Sequence, residues 1–236
     1  MITIAFFNNK GGVGKSSGVI NVAHALTKLG KANVALVRVL VVDCDSQRNT
    51  FRFFSDESNS DRISSTRYEN IDIRLGKRTY ISLESAINAD EREIELFEQG
   101  VYDYIILDLP PALTDETKDI LSGCDYVFVP IELGTFAIQG IANVTEAIAE
   151  TGARFGGCFV SKFDRENPAD HELDELLRQK LGSKAMRTRI PCSRVIKNSI
   201  SYRQTAFEYM EWTSAAEAYM TLTQEILGIC EVDHEI

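Results

Sequence analysis

Paired cysteines and long apolar runs are scarce in this sequence, and each scarcity argues against a class of protein. The five cysteines (Cys44, Cys124, Cys158, Cys192, Cys230) stand singly, with no C-x-x-C spacing. That pattern speaks against a disulfide framework and a thiolate metal centre. The thiols are expected to be reduced and mostly structural, as in a cytoplasmic protein. No apolar run approaches the roughly 18 residues of a membrane span. A glycine-rich stretch begins within ten residues of Met1, which leaves no room for a secretion signal. A cytoplasmic chain without a membrane partner is therefore expected.

Acidic residues are plentiful overall, 35 against 25 basic ones, yet they vanish from one segment. Between Arg178 and Arg203 there are eight basic residues (Arg178, Lys180, Lys184, Arg187, Arg189, Arg194, Lys197, Arg203) and no acid. The segment carries +8 in a chain whose net charge is −10, so the remainder carries −18. Such asymmetry points to a local anionic partner on an otherwise repelling surface. The bland alternative is a solvated face whose charges pair with acids elsewhere.

What is present is a phosphate-binding signature. Ile2–Phe7 reads as a buried strand, and Val19–Leu26 has the apolar spacing of a helix. Between them lies Asn8-Asn9-Lys10-Gly11-Gly12-Val13-Gly14-Lys15-Ser16-Ser17. Glycines let backbone N–H groups close around an anion, and the helix N-terminus adds positive potential. Lys15 is placed to reach the β- and γ-phosphates and Ser16 to ligate Mg²⁺, so ATP and Mg²⁺ are the expected ligands. The strict P-loop pattern wants glycine at position 9, where this chain has Asn9. Asparagine tolerates left-handed backbone better than other non-glycine residues, so the loop is expected to form all the same.

Two further strands end in carboxylates. Leu36–Val42 runs into Asp43-Cys44-Asp45-Ser46-Gln47, and Tyr104-Ile105-Ile106-Leu107 into Asp108. The carboxyl ends of strands are where open α/β sheets bind ligands. Asp108 has the Walker B arrangement, a carboxylate set for a water-mediated Mg²⁺ contact.

Lys10 inside the loop, beside Gly11-Gly12, resembles the deviant Walker A motif of the ParA/MinD ATPase family. The resemblance continues through Asp43-Cys44-Asp45-Ser46-Gln47, similar to the family's D-x-D-P-Q with Ser46 in place of proline. Asp108-Leu109-Pro110-Pro111-Ala112 is similar to its D-x-P-P-A switch segment, and Ile190-Pro191 to its loop near the adenine base. It spans Met1 to about Ile229. The resemblance implies that Lys10 is the signature lysine, reaching a partner's nucleotide across an ATP-sandwich homodimer. It implies that Asp43 supports the Mg²⁺ shell with Ser16 and Asp108, that Asp45 orients the attacking water, and that Pro191 lies by the base. The loop residues Lys10, Gly11, Gly12, Val13, Gly14, Lys15, Ser16 and Ser17 would hold the nucleotide, and Lys10, Lys15 and Asp45 would carry hydrolysis.

The expected fold is an α/β doubly wound, mainly parallel sheet, a single P-loop ATPase domain over residues 1–236 with no helix-turn-helix extension. Further elements expected are strands at Ile71–Leu75, Thr79–Ser82, Asp125–Pro130 and Phe155–Val160. Helices are expected at Leu83–Gln99, from Gly134 to Glu150, at Glu172–Leu181 and at Thr213–Ile229. Ser55–Glu69 reads as a surface loop or short helix. Residues 31–37 exceed the family's short turn, and an extended helix end or an early strand could absorb them.

Three outputs compete. A ParA-like partitioning ATPase would grip DNA non-specifically in its ATP state, through Arg187, Arg189, Arg194, Lys197 and Arg203, on the nucleoid, and a ParB-like adaptor would stimulate hydrolysis. A MinD-like or other positioning switch would act on a protein or membrane surface, but the tail Glu231-Val232-Asp233-His234-Glu235-Ile236 is acidic rather than a basic lipid-binding helix. A metabolic P-loop enzyme has least support, since no second catalytic constellation is present.

Overall fold

A computed structural model describes residues 1–32, 36–56, 62–76 and 99–232. The strand expected at Thr79–Ser82 and the helix expected from Leu83 fall outside the described residues, as do residues 33–35 and the last four of the acidic tail. The described elements mix strands and helices along the chain, mostly in alternation. They run β1 (Ile2–Phe6), α1 (Lys15–Ala32), β2 (Val39–Asp43), α2 (Asn49–Phe54), β3 (Ser64–Ser65), β4 (Ile71–Leu75) and β5 (Tyr104–Asp108). There follow α3 (Asp115–Ser122), β6 (Tyr126–Glu132), α4 (Thr135–Glu150), β7 (Arg154–Phe163), α5 (Pro168–Leu181), β8 (Ala185–Pro191), α6 (Arg194–Ser201), α7 (Ala206–Tyr209) and α8 (Ser214–Val232).

The eight strands form one sheet in the order β3-β4-β2-β5-β1-β6-β7-β8. Every neighbouring pair is parallel except β3–β4. Parallel strands need crossovers, and the helices supply them on both faces. Strand alternation divides the core accordingly. Ile4, Phe6, Val39 and Val41 pack under α1, α2 and α8, with Val19, Phe51, Leu222 and Ile226. Ala5, Leu40, Val42 and Leu107 point the other way, to Ile120, Ile141, Ile148 and Leu177 of α3, α4 and α5. Strands buried on both faces explain why the sequence shows unbroken apolar runs here rather than alternation. No described helix is long and apolar enough to cross a membrane.

Several boundaries differ from expectation for identifiable reasons. Helix α1 begins at Lys15, four residues early, because Gly14 O already accepts from Gly18 N at 2.9 Å. It runs on to Ala32, so an extended helix end accounts for part of the 31–37 excess. Helix α5 begins at Pro168 rather than Glu172, since Asn167 caps it by accepting from Ala169 N and proline suits the first helical position. Strand β7 extends from Arg154 to Phe163, beyond Phe155–Val160 at both ends. The Ser55–Glu69 stretch contributes the two-residue antiparallel edge strand β3.

Candidate active site

The loop after β1 closes on itself before any ligand is considered. Asn8, buried, donates from Nδ2 to Pro130 O at 2.8 Å, while its Oδ1 accepts from Lys10 N at 2.9 Å. Ser161 Oγ on β7 donates to Val13 O at 2.7 Å. Gly12 and Gly14 take φ of 75° and 91°, a left-handed backbone that side chains rarely adopt. Asn9 is not among the residues with positive φ. Its departure from the strict pattern therefore needs no left-handed tolerance, contrary to expectation, because the turning is done at Gly12 and Gly14. Lys15 is 6% exposed, and its Nζ donates to Asn8 O and Lys10 O, both at 3.2 Å. Burial lowers its pKa, and the charges of Asp108 and Asp45 pull it back up.

Facing the loop, Asp43 and Asp108 end adjacent parallel strands in the same register position. Both are buried, and burial followed by like-charge repulsion raises the pKa of Asp43. Asp108 is raised too, chiefly by burial, with hydrogen bonds from Ser16 and Thr50 acting against it. The oxygens of Asp43 accept from Asp45 N at 3.0 Å and from Phe51 N at 2.8 Å, so this carboxylate shapes the loop and α2. Asp108 Oδ2 accepts from Thr50 Oγ1 at 2.6 Å, while its buried Oδ1 has no partner among the described residues. An orphaned carboxylate oxygen beside the Ser16 hydroxyl is a fit for a hard cation, which favours oxygen ligands.

A pocket of about 500 Å³ opens over this cradle. Its floor is Gly11, Gly12, Gly14, Lys15, Ser16 and Ser17, with Asp45 and Pro111 at its side. A second cavity of about 660 Å³ shares Gly14, Ser17, Lys162 and Ile200 with it, and is lined by Ile190, Pro191, Ile196 and Tyr219. One compartment is polar and cationic and the adjoining one largely apolar, which suits a phosphate tail joined to a base. Lys10 lies outside both. Its exposed side chain borders a separate cleft with Glu132, Phe136 and Ile141.

The family model described as an AAA domain (AAA_31) matches residues 1–155. The chain belongs to that family, among the ParA/MinD ATPases. It is 26% identical over 243 residues to the chromosome-partitioning ATPase Soj of Thermus thermophilus, covering 95% of each chain. It is 25% identical over 260 residues to the chromosome partitioning protein ParA of Caulobacter vibrioides, covering 95% of this chain and 93% of that one. Among solved structures, the septum site-determining protein MinD of Pyrococcus horikoshii, complexed with Mg-ADP, has the same fold. It superposes with a TM-score of 0.73 over 95% of both chains at 20% identity.

In this ParA/MinD ATPase the basic segment does not act as one unit. Arg178 and Arg189 both pair with the buried Asp174, and Lys180 Nζ donates to Ile138 O at 2.9 Å. Arg203 turns to the wall of the phosphate pocket. Arg187, Arg194 and Lys197 stay exposed, the last two on the rim of the apolar cavity. Sequence reasoning missed Asn8, Ser161, Asn49, Arg52 and Lys162, of which the last three line the phosphate pocket. Only Asn8, inside the quoted loop, carried a sequence signal. The rest come from distant elements that the sheet brings together.

Proposed function

We propose that this chain is a single-unit, ATP-driven partitioning switch. In this reading it forms a nucleotide-sandwich homodimer, binds DNA without sequence preference in the ATP state, and is released when a ParB-like adaptor stimulates hydrolysis. The observation that carries the reading is the position of Lys10. A lysine on the loop that does not line its own phosphate pocket, exposed and bordering a cleft with Phe136, is available to a second copy's nucleotide. Mg-ADP in a MinD of the same fold and the partitioning names of the relatives add support.

ATP would lie with its phosphates over Gly11 to Ser17 and its base beside Pro191. Mg²⁺ would be held by Ser16, with Asp108 and Asp43 holding its water shell, and would neutralise charge on the phosphates. The chain's own work is positional. Loop N–H groups and Lys15 hold the phosphates. Asp45, whose N–H is fixed by Asp43 and whose Oδ1 accepts from Gln47 N at 2.9 Å, orients water. Arg187, Arg194 and Lys197 carry the DNA contacts, and Arg189, held by Asp174, adds only local potential.

The test is fluorescence anisotropy of labelled duplex DNA with ATP, ADP or no nucleotide, over a salt series, with Lys10→Ala alongside. Binding is expected only with ATP, falling steeply with salt and lost in the variant. ATP-dependent dimerisation without DNA binding would instead favour a switch acting on a protein surface. Trp212, 92% exposed, and Met210, 52% exposed, would suit such a surface. Binding indifferent to nucleotide would sink the switch itself.

A further inference from the structure

The phosphate pocket has a cationic wall that none of the loop motifs accounts for. Arg52, Lys162 and Arg203 line it beside the cradle residues, contributed by α2, the end of β7 and the turn after α6. Arg203 is the most constrained of the three. Its φ is 55°, and that of Lys162 is 54°. Among the described residues only four non-glycine residues have positive φ, and two of them line this one pocket. A left-handed backbone is strained for a non-glycine residue, and retained strain of this kind collects at ligand clamps.

The guanidinium is held but not used up. Nε donates to Phe53 O at 3.2 Å, Nη2 to Ser55 O at 2.9 Å, and Nη1 to Asp56. These bonds fix the plane of the group against the C-terminal end of α2. A guanidinium has five N–H donors, so two remain without a partner among the described residues. The side chain is 42% exposed and lines both this pocket and the adjoining cleft of Ser55, Asp56 and Arg67. Its acidic partner Asp56 is 92% exposed, and an ion pair so open to water holds its cation weakly. Lys162, by contrast, is drawn aside to Glu132 at 2.8 Å.

We propose that Arg203 is a ligand of the phosphate tail supplied by the same chain, and that it sets the preference of this pocket for nucleoside triphosphate over monophosphate. This rests on the reading of the pocket as a nucleotide site. A planar, pre-oriented fork suits phosphate oxygens better than a flexible ammonium does. Arg203 therefore acts together with Lys15, a second cation on the same phosphate tail.

Displacement of a fluorescent ATP analogue by ATP and by AMP, at fixed ionic strength with Mg²⁺, tests this on wild type, R203Q and R203K. R203Q should weaken ATP by about 10- to 100-fold and AMP by much less. R203K, which keeps the charge without the fork, should recover part of the loss. A merely structural arginine would weaken ATP and AMP equally, and that result overturns the proposal, as would an R203Q protein that binds ATP like wild type. If R203Q does not fold, R203K alone decides, by whether its ATP-to-AMP ratio falls. A wild type that binds neither nucleotide would overturn the nucleotide reading and this one with it.

Discussion

Thr50 Oγ1 donates to Asp108 Oδ2 at 2.6 Å, tying the first turn of α2 to the end of β5. Two positions before it in α2's approach lies Arg48, left-handed at φ 53°, and one after it Phe51 N binds Asp43. One short helix thus satisfies oxygens on both buried carboxylates. Thr50→Val keeps the shape and removes one of the two hydroxyl donors to Asp108. The expected cost is about 1–3 kcal/mol, read as a lower denaturation midpoint for the nucleotide-free protein. Unchanged stability would show that Asp108 is protonated or hydrated there instead.

His24 gives the protein an acid sensitivity that is independent of the nucleotide. Its ring packs against Tyr68 and Phe207, and its Nδ1 lies 2.8 Å from Thr205 Oγ1. Burial first, then the charges of Lys28, Lys31 and Arg67 against that of Glu208, lowers its pKa to about 4. The unfolded chain takes up this proton near pH 6.5 while the folded one refuses it until about pH 4. Stability is therefore whole above pH 6.5 and falls as the pH drops towards 4, by on the order of 3 kcal/mol. Urea midpoints of His24→Gln should lose less than those of wild type across that window. Parallel losses in both proteins would place the sensitivity elsewhere.

Gly156 is a packing glycine. A Cβ there would lie 2.6 Å from Cε1 and Cζ of the buried Phe128 ring. Phe128 is in turn packed against Phe6 and Tyr126 and has nowhere to retreat. Gly156→Ala should destabilise by about 1–3 kcal/mol, at roughly 2–4 °C of melting temperature per kcal/mol. A melting temperature equal to wild type would mean that the ring moves freely.

Arg194 and Lys197 lie one turn apart on α6 and are both exposed. If they touch DNA phosphates, the double alanine variant should reduce the slope of log affinity against log salt by about 2, with no change in sequence preference. They also rim the apolar cavity, so ATP affinity should be measured beside DNA affinity. An unchanged salt slope would remove α6 from the DNA face.

The sequence by itself determined the main strands and the cradle. β-branched apolar runs such as Val39–Val42 and Ile105–Leu107, bounded by polar residues, read as strands covered on both faces, and Gly14, Lys15 and Ser16 between a strand and a helix read as an anion cradle, as the fold bears out. Asp43 and Asp108 were legible because each ends such a run. Their shared register, which sets the two carboxylates side by side, was not legible, since strand order is not written in local spacing. The same holds for charge. Eight basic residues in one acid-free segment look like one surface, yet Arg178 and Arg189 are drawn to Asp174 on α5, and Arg203 to the carbonyl end of α2. Where a long cationic side chain ends is fixed by acceptors more than a hundred residues away in some cases, and only the folded chain brings those into reach.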